Sequence, residues 1–172
     1  MNENIRITDN FLPEKQFKEL RSVMTGLFFP WYYNPFVVSD HDLDDINISQ
    51  FTHRFFTGRE GSESAGYKLL KPIIEKLNVK AIVRIKANLL VKTEKIIEHT
   101  LHRDFNNNRT AIYYINTNNG YTKFANGQKV NSIENRLIDF NSNFMHTGTT
   151  CTDQKCRIVL NINYYPFIEG EC

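Results

Sequence analysis

The segment "KAIVRIKANLL" (residues 80–90) decides the fold class. Ala81, Val83, Ile85, Ala87 and Leu89 alternate with Arg84, Lys86 and Asn88. An apolar–polar period of two is the signature of a strand with one buried face. Arg84 and Lys86 are then expected on its solvated face. Downstream, short β-rich runs follow one another: "IIEHTLH", "RTAIYYIN", "YTKF", "QKV", "RLIDF" and "RIVLNINYY". Between them stand the turn signals "NTNNG", "ANG" and "NSN". Strands so closely spaced predict a β-sandwich or barrel of jelly-roll type.

Upstream the period lengthens. In "NFLPEKQFKELRSVM" (10–24), Phe17, Leu20, Val23 and Met24 share one helical face, and Pro13 suits a first turn. "ESAGYKLLKPIIEKLN" (63–78) predicts a second helix, entered or kinked at Pro72. Between them lie an aromatic cluster, "FFPWYYNPF" (28–36), and an acidic loop, "SDHDLDDINIS" (39–49). The fold class is α+β, a single domain over 1–172. Residues 1–78 form a helical and lid extension, and 79–168 the jelly-roll core.

Charge excludes some partners. The 172 residues carry 21 Lys+Arg against 19 Asp+Glu, a net charge of +2, which does not advertise nucleic acid or membrane. The first ten residues have no apolar h-region, so no signal peptide is expected. Three cysteines, Cys151, Cys156 and Cys172, are too few and odd in number for a disulfide framework. They fit a reducing cytoplasm.

The chemistry is concentrated in "EHTLHRDF" (98–105). On an extended strand, side chains two apart share a face. His102 and Asp104 therefore face together, and His99 faces away, toward solvent or a second layer. One imidazole and one carboxylate are two legs of a 2-His-1-carboxylate triad for non-haem Fe(II). The third leg must come from His41, His53 or His146. His41 and His53 precede the β domain and lack a carboxylate at strand spacing, so both read as non-ligands. If "FMHTGTTCTDQKCRIVLN" is an antiparallel hairpin centred near residues 151–152, His146 lies opposite Arg157. A guanidinium beside a metal ligand makes sense when an anionic co-substrate bridges the two.

With these motifs in place, the sequence resembles the Fe(II)/2-oxoglutarate-dependent dioxygenases, in particular the small prolyl-4-hydroxylase-like branch of bacteria and phages. The matching elements are "HRD" (102–104), "RTAIYYIN" (109–116), "NRLIDF" (135–140), "FMHTG" (144–148) and "RIVLN" (157–161), with "ITDNFLPEKQF" near the start. The resemblance implies a double-stranded β-helix, a jelly roll with N-terminal helices packed on one sheet. It assigns His102, Asp104 and His146 to iron, and Arg157 to the distal carboxylate of 2-oxoglutarate. It implies that Tyr114 shares that carboxylate and that Arg109 lies near the substrate entrance. Asn161 stands where this branch often has Thr. Asn88 or Leu89 occupies the neighbourhood of the tyrosine usual on the strand before H-x-D. Asn163, where nucleic-acid demethylases carry a second arginine, argues against base repair.

The activity so implied is hydroxylation of a peptidyl residue, proline above all, with O2 consumed and 2-oxoglutarate converted to succinate. Ascorbate would serve as an auxiliary reductant. Two readings stand beside it: a hydroxylase of a free amino acid or other small molecule, and a non-catalytic jelly-roll module with a structural metal.

Overall fold

In the computed structural model the alternating segment lies within a long strand, Val79–Val91. The residues described are 5–38, 48–58, 62–64 and 66–167, so His41, Cys172 and most of the acidic loop lie outside them. In chain order they form β1 (Arg6–Thr8), α1 (Glu14–Met24), β2 (Tyr32–Asn34), β3 (Gln50–Thr57) and β4 (Ser62–Glu63). A 3-10 turn (Tyr67–Leu70), α2 (Lys71–Lys76), β5 (Val79–Val91) and β6 (Arg109–Tyr114) follow. β7 (Tyr121–Phe124), β8 (Lys129–Asn131), β9 (Leu137–Asn141), β10 (His146–Gly148) and β11 (Cys156–Pro166) complete the fold.

Two antiparallel sheets face each other. The major sheet has the order β1-β9-β6-β11-β5-β3-β2, with β4 beside β3, and the minor sheet has the order β10-β7-β8. Because side chains alternate along each strand, the major sheet separates two layers. One face packs Ile85, Ala87, Tyr113, Leu160 and Ile162 against Phe17, Leu20, Met24, Leu70 and Ile73 of the helical segments. The opposite face packs Ile112, Ile138 and Val159 against Phe124 and Val130 of the minor sheet. This is the jelly-roll arrangement, with helices on one sheet only.

Helix α1 follows the predicted spacing, with Phe17, Leu20 and Met24 buried. Val23 lies at the margin of that face and is exposed. The second helix is shorter than its sequence implies. Pro72 stands in the first turn of α2, and the residues before it close into the 3-10 turn. A proline ring clashes with the carbonyl four residues back, so a helix running through Pro72 is disfavoured. Asn135 ties the N-terminal segment down. At φ +58°, a conformation asparagine tolerates, its buried amide bonds both Leu12 N–H and Leu12 C=O at 2.9 Å. Its Oδ1 also accepts from the Tyr113 hydroxyl at 2.6 Å.

Three expectations are corrected. The first 78 residues are not mainly helix and lid, since β3 is an integral strand of the major sheet. Its alternation is hidden by a register shift between Arg54 and Phe56. The polar face of β5 is not the solvated one, because it lines the space between the sheets. The hairpin joining His146 to Arg157 does not exist, since β10 pairs with β7 while β11 pairs with β5 and β6. Among the described residues no helix is long and apolar enough to cross a membrane.

Candidate metal centre

His102, Asp104 and His146 offer ligand atoms that all lie within 4.8 Å of one another. The two histidines are antiparallel neighbours, joined through His102 N to His146 O (2.9 Å) and His146 N to His102 O (3.0 Å). That pairing sets the rings side by side, with centroids 4.8 Å apart. Each Nδ1 lies near the carbonyl two residues back, Thr100 O at 3.1 Å and Phe144 O at 3.0 Å. With Nδ1 donating there, each ring turns its Nε2 lone pair to Asp104. The Nε2 atoms stand 4.0 and 3.9 Å from the carboxylate oxygens, beyond hydrogen-bond range.

Asp104 is held from the opposite side. Arg84 donates to Oδ1 at 3.0 Å, and the amides of Asn161 and Asn163 donate to Oδ2 at 2.9 and 3.1 Å. Burial pushes the Asp104 pKa up. Arg84, His146 and the two amides outweigh that and hold it at about 2. Burial lowers the His146 pKa despite the pull of Asp104, which favours the neutral, ligating imidazole.

Arg157 stands in the same cavity, about 70 Å³, that His102, Asp104 and His146 line. It is 2% exposed, yet its side chain meets only neutral partners: Ser132 Oγ at 2.8 Å, Thr122 Oγ1 at 3.3 Å and the Tyr114 ring. Among the described residues no carboxylate pairs with it. Burial draws its pKa down from the usual guanidinium value, the mark of a cation taken from water without a counter-ion. A Cβ on Gly120 would come within 2.7 Å of Arg157 Cδ, so this channel requires glycine. Asn88 Oδ1 and Asn161 Oδ1 in the same cavity are buried with no hydrogen-bond partner in the protein. Two nitrogens and one oxygen around a common point fit a ferrous ion, and the unneutralised guanidinium fits an anion beside it.

The other sequence-predicted residues divide. Tyr114 packs on Arg157 but is fully buried, and its hydroxyl donates to Thr122 Oγ1 at 2.8 Å. Asn161 orients the metal-facing carboxylate. Arg109 is not at the cavity. It pairs with Tyr164 on the helix-packed face of the sheet, and its Nε donates to Asp139 Oδ1 at 2.8 Å. Parity along β6 decides this, because Ile112, not Arg109 or Ala111, faces the site. His53 also faces the helices, with its ring nitrogens 2.9 Å from Pro30 O and 3.0 Å from Ser64 Oγ.

His99 departs from the parity expectation. It is buried and lines the cavity with the triad. The partners explain this: Glu98 pairs with Thr149 and His102 with His146, so four steps on one strand match three on the other. That extra residue is a bulge, and it turns His99 to the His102 side. Sequence reading also missed Arg84, Lys86 and Asn163 as site residues. Asn163 was within reach, because it shares parity with Arg157 and Asn161 on β11.

No protein-family model matches the chain, and no curated protein matches it in sequence. Solved structures do. A prolyl hydroxylase from Trichoplax adhaerens, in complex with a hypoxia-inducible factor oxygen degradation domain peptide fragment, matches with TM-score 0.67 and 15% identity. The match covers 95% of this chain and 84% of that one. A Pseudomonas putida prolyl-4-hydroxylase gives 0.57 at 14% identity, over 95% and 94% of the two chains. An oxidoreductase of the 2OG-Fe(II) oxygenase family from Burkholderia pseudomallei gives 0.66 at 12%, over 94% and 85%. The chain thus has the double-stranded β-helix fold found in 2-oxoglutarate-Fe(II) oxygenases, with a His-x-Asp and distal His set gathered in its cavity.

Proposed function

We propose that this chain is an Fe(II)/2-oxoglutarate-dependent dioxygenase that hydroxylates a peptidyl residue, with proline the first choice. The observation that carries the reading is the unneutralised Arg157 in the same small cavity as His102, Asp104 and His146. A metal triad alone suits a structural ion, but a buried guanidinium beside it calls for an anion. The proline preference draws support from the prolyl hydroxylases that share the fold, one of them bound to a peptide.

In this reading His102, Asp104 and His146 hold Fe(II), which supplies the activation of O2 coupled to conversion of 2-oxoglutarate to succinate. Ascorbate would act as an auxiliary reductant. The protein's own residues do the positioning. Arg157, braced by Ser132 and packed on Tyr114, receives the far carboxylate through charge-assisted hydrogen bonds. Arg84, Asn161 and Asn163 fix the Asp104 carboxylate, and two backbone carbonyls fix the imidazole tautomers. Leu90, Ile112 and Val159 keep the cavity wall apolar and limit water. Work in a reducing cytoplasm belongs to this proposal and rests on the three cysteines of the sequence alone.

The test is succinate formation. Protein loaded anaerobically with Fe(II), then given 2-oxoglutarate and air, should release succinate, and faster with a proline-containing peptide that gains the mass of one oxygen. No succinate with or without peptide would return the chain to a non-catalytic module.

A further inference from the structure

The face of the major sheet that Asp104 lies against is rich in positive charge. Going across the strands, Asn161 of β11 pairs with Lys86 of β5, and Lys86 pairs with Arg54 of β3. One step along, Arg84 pairs with Asn163. Among the described residues only Arg84 of these cations makes a salt bridge, to Asp104. Among the described residues Lys86 and Arg54 make no salt bridge.

Lys86 is placed between two spaces. It lines the metal cavity together with His102 and Asp104. It also lines an adjoining groove of about 660 Å³, whose walls include Tyr32, Phe36, Val37, Thr52 and Arg54. Val37 and Lys86 are common to both, so the groove runs up to the metal cavity. This is a separate cationic position from Arg157. Arg157 pairs with Leu90, four residues along β5 from Lys86, or about 13 Å of strand. An anion gripped by Arg157 leaves Lys86 without a partner.

We propose that the substrate carries a carboxylate, bound by Lys86 and Arg54 in this groove, while its apolar part lies along Tyr32 and Phe36 toward the metal cavity. The inference rests on the oxygenase reading and adds a substrate class to it. A lysine and an arginine in register on adjacent strands put two positive charges side by side, which a carboxylate balances and a neutral amide does not. The carboxylate has two sources: the α-carboxylate of an amino acid, or an acidic side chain next to the reacting residue in a peptide.

The test compares carboxylate and amide probes in two pairs. The first is N-acetyl-L-proline against N-acetyl-L-prolinamide. The second is acetyl-Ala-Pro-Glu-Ala-amide against its Gln counterpart. Binding to full-length protein loaded with Zn(II) and 2-oxoglutarate is followed by calorimetry, so no turnover is needed. In at least one pair the carboxylate should bind about tenfold or more tightly than the amide, and the pair that does so names the source. The preference should drop below about twofold in Lys86→Met and in Arg54→Gln, and persist in Lys86→Arg. Arg54 is exposed, so its variant tests the idea even if Lys86→Met fails to fold. Equal affinity within both pairs, no binding by any of the four probes, or a preference that survives Arg54→Gln overturns the proposal. Wild-type succinate formation is scored separately, so loss of the substrate inference leaves the oxygenase reading to stand or fall on its own.

Discussion

Asp139 projects from one face of the major sheet and Asp104 lies against the other, and their side chains are only 4% and 6% exposed. Both are surrounded by donors. Asp139 receives Arg6, Arg109 and the Tyr164 hydroxyl, all by direct contact. Asp104 receives Arg84, Asn161 and Asn163, but two imidazoles also approach it and stop about 1 Å short of a hydrogen bond. The Asp139 cluster is closed on itself and joins β1, β6, β9 and β11. The Asp104 cluster is held open on one side. A buried carboxylate whose neighbours all touch it serves the fold, whereas one with lone pairs aimed at it from a distance is prepared for a cation.

Substitutions should separate these roles. Asp104→Ala removes the only carboxylate of the triad, and iron affinity measured by anaerobic titration should fall by more than about 100-fold. Unchanged affinity would mean that the ligand set is wrong. Asp139→Ala should do the reverse. It leaves Arg109 half-buried without a carboxylate and should cost about 2–4 kcal/mol in urea unfolding, with iron affinity unchanged. Arg157→Ala should weaken 2-oxoglutarate binding by about 10–100-fold while sparing iron, read by displacement titration. A parallel loss of iron would mark a collapsed site instead. The smallest effect is expected for Asn163→Ala, which removes one of the amides on Asp104 Oδ2. Iron affinity should drop by about tenfold, and Asn161→Ala should match it. If neither moves, the carboxylate is positioned by Arg84 alone.

Much of the site was legible because period-two alternation is a local signal. Parity joined His102 to Asp104, and the family resemblance pointed to His146, Arg157 and Asn161. Where the chain departs from regular alternation, the signal fails. The bulge between Glu98 and His102 reversed His99, and the register shift after Arg54 concealed β3 within an apparent lid. Pairing between strands is not local at all. Proximity of His146 and Arg157 was read as a hairpin, but it arises because β10 and β11 belong to different sheets that face each other across the cavity. Arg109 was carried over from the family resemblance, and parity along β6 turns it toward Asp139 instead. Arg84 and Lys86 looked solvated because a polar strand face in sequence cannot reveal that a second sheet covers it.

β11, the last strand described, lies in the middle of the major sheet, between β6 and β5. It pairs Val79 with Pro166 and Arg109 with Tyr164, contacts between residues far apart in the chain. As the polypeptide emerges during synthesis, β5 and β6 must therefore wait with their inner edges unsatisfied until residues 156–166 arrive. Closure entropy for such distant pairings is lost before any contact repays it, so folding is expected to be slow, with a vulnerable open-edged intermediate. Arg157, Asn161 and Asn163 all ride on this closing strand. Arg157 and the amide clamp on Asp104 therefore come into place in the same event that completes the sheet.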